Sequence, residues 1–260
     1  MERSPVTNRL TGKVAVITGS AMGLGKAFAF ALAKEGATVA VADLDVVNAR
    51  AVVEGINKEV GAKAAAFLMD VSDDASVHKA MSEIASTFGG IDILINNAAL
   101  SDTVLQKRAF TDIPLEEWDR VMAVNVKGPW LTTKAAFPYM KQGRRGKIIN
   151  IISTLAYKGS PGFLQYATSK AALIGLTRTL AHELGEHNIN INMIGPGLTA
   201  TDRIRRIYDE KMLQNVASRR ALKRIETSED LIGALIFLSS SESDFITGQT
   251  ILVNGGDIFL

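Results

Sequence analysis

The sequence predicts an α/β protein, a doubly wound parallel sheet of about seven strands with helices on both faces. Seven short apolar stretches are aliphatic and β-branched on both faces, which is typical of parallel strands covered by helices. The stretches between them are long enough for helices, so strand and helix alternate as in βαβ units. The six prolines are scattered and no linker-like tract is visible, which favours one domain over residues 1–260.

The individual elements follow from these stretches in chain order. The predicted strands cover residues 14–18, 38–43, 64–69, 91–96, 147–152, 191–194 and 250–253. The predicted helices cover residues 23–35, 46–60, 73–88, 117–142, 163–186 and 228–240. Crossovers between parallel strands are expected to be right-handed.

Composition excludes several classes of function. The chain has no cysteine, which excludes disulfides, thiol nucleophiles and cysteine-held metals. Basic residues number 29 and acidic residues 27, so a nucleic-acid partner is disfavoured. No signal peptide or membrane-length apolar run is visible, and a cytoplasmic protein without a membrane partner is expected. His78, His182 and His187 show no metal-ligand pattern, so no metal is predicted.

A glycine-rich turn follows the first strand, with Gly19, Gly23 and Gly25 in TGSAMGLG at 18–25. Glycines let the backbone approach a pyrophosphate, and the N-terminus of the following helix supplies N–H groups and a positive dipole end. The spacing is G-x-x-x-G-x-G rather than G-x-G-x-x-G. The prediction of a pyrophosphate site therefore depends on the strand before this turn and the helix after it. The alternative is a tight turn that binds no ligand.

Asp43 ends the second predicted strand, 24 residues after Gly19. A carboxylate there can accept hydrogen bonds from a ribose diol and would repel a 2′-phosphate. Neither Ser20 nor Leu44 is basic, so the pattern favours NAD over NADP. The alternative is that Asp43 or Asp45 only caps the next helix.

Tyr166 and Lys170 are spaced four residues apart, which places both on one helix face. A nearby ammonium lowers the pKa of a phenol, so Tyr166 is the candidate general base, aided by a positive nicotinamide ring. Ser153 follows a strand at the edge where open α/β sheets bind ligands, and its hydroxyl can orient a substrate oxygen. Asn125 stands within a predicted helix, where asparagine is disfavoured. The simpler alternatives are a strand-end turn serine and a solvent-facing or locally bonded asparagine.

Together these motifs resemble the short-chain dehydrogenase/reductase family, over Leu10 to about Gly256. The matching residues, in chain order, are TGSAMGLG at 18–25, Asp43, Asp70-Val71, Asn96-Asn97-Ala98-Ala99, Asn125, Ser153, Tyr166-Ala-Thr-Ser-Lys170 and Pro196-Gly197-Leu-Thr-Ala-Thr201. Ala99 departs from the family's usual glycine, and Gly195 stands where a larger residue is usual. The resemblance implies a Rossmann-like sheet with NAD across the carboxyl ends of its strands.

The resemblance also implies the roles of the site residues. Asp70 and Val71 would lie at the adenine, and Asn97, Ala98 and Ala99 beneath the adenosine ribose. Pro196, Gly197 and Thr201 would border the nicotinamide, and Asn125 would hold a kink and a water that relays protons to Lys170. The full cofactor set is Gly19, Ser20, Met22, Gly23, Leu24, Gly25, Asp43, Leu44, Asp70, Val71, Asn97, Ala98, Ala99, Tyr166, Lys170, Pro196, Gly197 and Thr201.

The predicted function is an NAD-dependent oxidoreductase that interconverts a secondary alcohol and a ketone. Its catalytic set is Asn125, Ser153, Tyr166 and Lys170. The substrate pocket is predicted from Leu100, Ser101, Thr154, Leu155, Tyr157 and Leu198, and its mostly apolar lining favours a hydrophobic substrate. Two alternatives are a non-redox epimerase or lyase that uses bound NAD, and a nucleotide-sensing binding protein without turnover.

Residues 199–224 are predicted to form a substrate-covering loop region, and they hold eight basic residues against three acidic ones. A solvated helix face is the simpler interpretation, and attraction of an anionic substrate is the sharper one. The family resemblance further implies a homotetramer or a dimer.

Overall fold

A computed structural model describes residues 8–101, 107–143 and 145–260. Its centre is one parallel sheet with the strand order β3-β2-β1-β4-β5-β6-β7. The strands are β1 (Val14–Thr18), β2 (Thr38–Asp43), β3 (Ala64–Leu68), β4 (Ile93–Asn96), β5 (Gly146–Ile151), β6 (Ile189–Pro196) and β7 (Thr250–Val253). The predicted doubly wound sheet of seven parallel strands is therefore confirmed.

The strand order reverses between β1 and β4, which is where the candidate site forms. The chain runs from β1 outward through β2 to β3, and then returns to pair β4 with the other side of β1. The loops that leave the carboxyl ends of these two strands diverge, and ligands of open α/β sheets bind in that crevice. The predicted phosphate loop follows β1, so it lies at this switch point.

Helices cover both faces of the sheet. They are α1 (Gly23–Lys34), α2 (Val46–Glu59), α3 (Asp74–Phe88), α4 (Leu115–Met122), α5 (Gly128–Gly143), α6 (Leu155–Lys158), α7 (Leu164–Gly185), α8 (Asp202–Ile207), α9 (Glu210–Ala217) and α10 (Glu229–Ser239). One core cluster joins the sheet to α3, α5 and α7. A second joins the opposite face to α1, α2 and α10. Strands β1, β4 and β5 are each buried along their whole length, as their aliphatic sequences require.

Most predicted boundaries are shifted by one or two residues, α6 was not predicted, and three differences are larger. The predicted helix 117–142 is instead α4, a π-helical segment (Ala123–Lys127) and α5. The π segment widens the turn, and the N–H of Gly128 donates to the carbonyl of Ala123, five residues back. β6 extends at both ends beyond the predicted 191–194, and the region 199–224 contains α8 and α9 rather than loop alone.

Within the described ranges, no helix combines the length and the apolar character needed to cross a membrane. The first seven residues, on which the expectation of no signal peptide depends, lie outside these ranges.

Candidate active site

The phosphate loop turns sharply between β1 and α1. Gly19 and Gly23 adopt φ values of +64° and +55°, a region that favours glycine. A side chain at Gly25 would collide with the carbonyl oxygen of Gly19, so the helix can start this close to the strand only with glycine there. The helix begins after Met22, whose side chain makes no capping hydrogen bond, and its first turn contains no acidic residue.

Side chains from the loop after β4 and from the turn itself hold this loop in shape. Asn97 follows β4, and its Nδ2 donates to the carbonyls of Thr18 at 3.0 Å and Gly19 at 2.8 Å. The Ser20 hydroxyl donates inward to the carbonyl of Ile17 at 2.7 Å. Ala98 packs against Gly19, where a Cβ would lie 2.7 Å from the Ala98 Cα. The polar side chains of Asn97 and Ser20 are thus used to shape the loop, which leaves its backbone to face a ligand.

Asp43 lies beside the same loop at the end of β2. Its Oδ2 accepts from the N–H of Ala21 at 2.8 Å, and its Oδ1 accepts from the N–H of Asp45 at 3.0 Å. Asp45, by contrast, is the N-cap of α2 and accepts from the N–H of Asn48. The two aspartates therefore divide the roles that the sequence left open: Asp45 caps the helix, and Asp43 presents its carboxylate at the glycine turn. Leu44, next to it, is exposed.

The residues predicted at the adenine lie at the end of β3. The carboxylate of Asp70 accepts from the N–H of Ser72 at 2.8 Å and from its hydroxyl at 2.7 Å, which fixes the turn into α3. Val71 is buried and contacts Gly128 at the start of α5.

These features fit a bound dinucleotide. An uncapped helix start with glycines at positive φ before and at its first residue is a good site for a pyrophosphate. A carboxylate fixed at the next strand end suits a ribose diol. Gly19 to Gly25 would hold the phosphates of NAD(P), and Asp43 would hold the adenosine ribose.

Three predicted catalytic residues meet at the carboxyl end of β5. Ser153 follows this strand, and its hydroxyl lies near enough to the phenol of Tyr166 on α7 to lower the pKa of that phenol. Ser153 is itself held by the N–H of Leu155, which donates to its Oγ at 3.2 Å. Lys170, one turn further along α7, is only 3% exposed, and its Nζ donates to the carbonyl of Ile151 at 2.8 Å.

The pKa of Tyr166 moves in the direction opposite to the one that the sequence predicts. Burial raises the pKa of the phenol to about 12, although the hydrogen bond from Ser153 lowers it. Burial also lowers the pKa of the Lys170 amine to about 8. The amine lies 5.8 Å from the centre of the tyrosine ring, where it does not offset the loss of water around the hydroxyl. The predicted lowering of the Tyr166 pKa counts on the positive nicotinamide ring as well as on Lys170, so it stays a prediction for the site with its cofactor.

Asn125 lies in the π-helical segment, fully buried, and all its side-chain polar atoms have protein partners. Its Oδ1 accepts from the N–H of Leu100 at 2.8 Å, and its Nδ2 donates to the Leu100 carbonyl at 3.3 Å and to the Ser169 hydroxyl at 3.0 Å. Asn125 thus joins the loop after β4 to α7 next to Lys170. The widened turn supplies the interruption of the helix that the resemblance implies.

The predicted pocket residues follow the carboxyl ends of β4, β5 and β6, and several of them have defined hydrogen bonds. Thr154 is buried, and its N–H donates to the carbonyl of Pro196 at 2.9 Å, which brings the end of β6 beside Ser153. The hydroxyl of Tyr157 is hydrogen-bonded to Thr250 on β7 at 2.9 Å. The remaining predicted pocket residues, Leu100, Ser101, Leu155 and Leu198, are all half-buried.

The segment after β6 carries the residues predicted at the nicotinamide. Thr201 caps α8, with its hydroxyl accepting from the N–H of Ile204 at 3.4 Å. Gly195, which the sequence left unexplained, faces Leu252: a Cβ there would lie 2.6 Å from that side chain's Cδ2. Glycine at this position therefore makes room for Leu252 on the neighbouring strand.

Sequence reasoning missed a buried ion pair beneath the same segment. Arg220 and Glu226 are 2% and 4% exposed, with the guanidinium nitrogen 3.2 Å from Oε2 of the carboxylate. Burial raises the pKa of Glu226 above its usual range, against the opposing effects of the Thr199 hydroxyl and of Arg220. Arg220 had been counted with the basic residues of 199–224, and no local pattern distinguishes it from its exposed neighbours.

The histidines and carboxylates do not assemble a metal site in the part of the chain that the structure describes: no group of three or more such side chains converges there. His78 is exposed on α3, with its Nε2 3.7 Å from Asp74, and His187 packs against Phe137 just beyond α7.

Comparison with known proteins agrees with this geometry. The family described as enoyl-(acyl carrier protein) reductase matches residues 19–257. The chain is 37% identical to 3-oxoacyl-(acyl carrier protein) reductase of Thermotoga maritima, which covers 95% of this chain and 98% of that protein. It is 38% identical to sorbitol dehydrogenase of Cereibacter sphaeroides, over 96% of this chain and 98% of that protein.

A solved structure is similar along the same length. A 7α-hydroxysteroid dehydrogenase complexed with NADH and 7-oxo glycochenodeoxycholic acid superimposes with a TM-score of 0.90 at 31% identity, covering 98% of both chains. The chain belongs to the short-chain dehydrogenase/reductase family. It is an NAD(P)-dependent oxidoreductase of the kind that acts on alcohols and ketones.

Proposed function

We propose that this protein interconverts a secondary alcohol and a ketone with NAD as its preferred cofactor. The observation that carries the proposal is the convergence of Ser153, Tyr166 and Lys170 at the carboxyl end of β5. A hydroxyl and a phenol at one edge of the sheet can together receive one substrate oxygen.

The proton chemistry follows from the pKa directions. Because the pKa of Tyr166 is raised to about 12, its phenol is protonated at neutral pH and suited to donate a proton to the oxygen of a ketone. In the reverse direction it must accept a proton, which requires added positive charge. Lys170 supplies part of it, since a pKa of about 8 leaves the amine mostly cationic at neutral pH. NAD(P), when bound, exchanges the hydride and in its oxidised form adds a positive charge.

The preference for NAD rests on Asp43. Its carboxylate is fixed by the N–H groups of Ala21 and Asp45, so it cannot easily turn away from a 2′-phosphate placed at the end of β2. Repulsion between the two negative charges would weaken NADP binding, whereas a ribose diol could donate to the carboxylate.

The substrate class is proposed more broadly. The relatives named above act, by their names, on an acyl thioester, a sugar alcohol and a steroid, so the shared group is a carbinol or carbonyl carbon. The half-buried Leu100, Leu155 and Leu198 favour an apolar flank on the substrate. Residues 199–224, with α8 and α9, are proposed to cover it.

Three further proposals rest on the sequence. The whole chain is one domain, its location is cytoplasmic, and it assembles as a homotetramer or a dimer. Size-exclusion chromatography with light scattering tests the assembly directly.

The decisive experiment is a screen that follows reduced-nicotinamide absorbance. The protein is incubated with NAD or NADP and a panel of sugar alcohols, hydroxysteroids and 3-hydroxyacyl thioesters, and with the matching ketones and reduced cofactors. We expect turnover of at least one class, faster with NAD(H). Binding of NAD without redox turnover of any pair would instead support an epimerase, a lyase or a nucleotide sensor.

A further inference from the structure

The segment Pro196–Thr199 connects β6 to the region before α8, and it lies beside the catalytic cluster. The N–H of Thr154, next to Ser153, donates to the carbonyl of Pro196. A hydride donor must approach the substrate carbon whose oxygen contacts Ser153 and Tyr166, so the nicotinamide half of the cofactor must come close to this segment. The adenosine half belongs at Asp43, several strands away.

The ion pair between Arg220 and Glu226 contacts three consecutive residues of this segment. Oε1 of Glu226 accepts from the N–H of Gly197 at 3.1 Å and from the hydroxyl of Thr199 at 2.7 Å. The guanidinium of Arg220 donates to the carbonyl of Leu198 at 3.0 Å. The Gly197 N–H is shared with the carbonyl of Val253 at 3.3 Å, so the segment is also tied to the end of β7.

Gly197 and the ion pair fit each other closely. A Cβ at Gly197 would lie 2.6 Å from Oε2 of Glu226 and 2.8 Å from a guanidinium nitrogen of Arg220. The backbone of Gly197 therefore packs directly against the two charged groups. Glycine is needed at this position for that close contact and not for a positive φ.

Stability alone does not explain this pair. Burying two charges generally costs more than their attraction returns, and well-packed apolar replacements are often neutral or stabilising. Some hydrogen-bonding atoms of this pair also lack partners. Among the described residues, the Nε of Arg220 and the Oε2 of Glu226 have no hydrogen-bond partner of good geometry. What the pair does supply is a fixed position for the polar groups of Gly197, Leu198 and Thr199.

We propose that Arg220 and Glu226 are positioning residues that hold the segment Pro196–Thr199 in the conformation that receives the nicotinamide half of the cofactor. This inference rests on the proposed NAD(P) site. Loss of the pair weakens binding of the complete cofactor and leaves binding of its adenosine half unchanged, because Asp43 and the phosphate loop do not touch the pair.

The test compares the affinities of NADH and of ADP-ribose, which lacks the nicotinamide. The variant R220M/E226L removes the pair and its charges together. We expect it to bind NADH at least about tenfold more weakly, the usual effect of losing hydrogen bonds to a charged group, with ADP-ribose affinity unchanged. The variant R220M/E226Q is also uncharged but keeps an acceptor oxygen for Gly197 and Thr199, and it should recover most of the NADH affinity.

The matched control is the nearby pair of exposed Arg224 and half-buried Asp230, which are 2.6 Å apart and have no hydrogen bond to Pro196–Thr199 among the described residues. R224M/D230L should leave both affinities unchanged. Equal weakening of NADH and ADP-ribose in R220M/E226L, or unchanged NADH binding in that folded variant, would overturn the proposal.

If R220M/E226L does not fold, T199V decides the question, since it removes only the hydroxyl bond to Glu226. Selective weakening of NADH by about threefold supports the proposal, and no selective change overturns it. Because these are binding measurements, a protein that binds NADH but turns over no alcohol or ketone would refute the proposed reaction while still testing this inference.

Discussion

Replacing the buried lysine with methionine should stabilise the protein while it abolishes activity. Burial lowers the pKa of Lys170 from 10.5 to about 8, so the folded state at neutral pH holds an ammonium that prefers water. At about 1.4 kcal/mol per pKa unit, the cost of that burial is roughly 3 kcal/mol. Methionine has a similar shape and no charge, but it leaves the Ile151 carbonyl without the bond from Nζ, which costs about 1 kcal/mol.

The net expectation for Lys170→Met is a gain of roughly 2 kcal/mol at neutral pH, or about 4 °C in Tm for a chain of this length. Differential scanning calorimetry of the cofactor-free protein at one fixed protein concentration measures it, since assembly would otherwise change Tm. The wild-type and variant proteins are then compared for turnover, which the variant should lose.

The pH dependence gives the sharper test. Below the folded pKa of about 8 both states of wild type carry the proton, so the penalty is constant. Between about 8 and 10.5 the unfolded chain keeps a proton that the folded chain has lost, so wild-type stability rises with pH and the advantage of the variant shrinks. Lys79→Met, at an exposed position on α3, is the control for replacing a lysine with methionine outside the core. A Lys170→Met variant that is less stable than wild type at neutral pH, or whose advantage does not change with pH, would refute this reasoning.

Three further substitutions test the other parts of the site. Tyr166→Phe should lower kcat at least about 100-fold, and near-normal turnover would remove Tyr166 from the reaction. Asp43→Asn keeps an acceptor for the N–H of Ala21 but removes the charge, so the ratio of kcat/KM for NAD to that for NADP should fall about tenfold; an unchanged ratio would mean that Asp43 does not select the cofactor. Asn125→Leu leaves the N–H and carbonyl of the half-buried Leu100 and the buried Ser169 hydroxyl without this partner, so chemical denaturation should show a loss of about 1–3 kcal/mol, and undiminished stability would contradict the bonding seen here.

The sheet was predictable because its information is local. A run such as Val14–Thr18, aliphatic on both faces and followed by a glycine turn, is compatible with few structures other than a covered parallel strand. Alternation with helices and the preference for right-handed crossovers then restrict the topology. The placement of Ser153 at a strand end beside Tyr166 follows from the same pattern, because carboxyl ends of parallel strands share one edge.

The helix at 117–142 could not be predicted in detail because the π segment depends on tertiary contacts. Asn125 bonds to Leu100 and Ser169, which come from distant parts of the chain, and those bonds offset the poorer local geometry of the wide turn. Propensity showed only that asparagine is unusual there.

Electrostatics were the least predictable feature, because they depend on burial. The spacing of Tyr166 and Lys170 predicts that the two groups share a helix face, but the direction of each pKa shift follows from the loss of water around it. Arg220 likewise looks like any other basic residue of its stretch until the fold buries it beside Glu226.

The central claim, that this cleft transfers hydride between a carbinol carbon and a nicotinamide, is tested most directly by isotope tracing. A secondary alcohol that is active in the screen is prepared with deuterium on its carbinol carbon and incubated with NAD and the wild-type protein, and the reduced cofactor is analysed by mass spectrometry. We expect one deuterium per molecule of NADH formed. Product formation without deuterium in the cofactor would contradict hydride transfer and, with it, the function proposed for this chain.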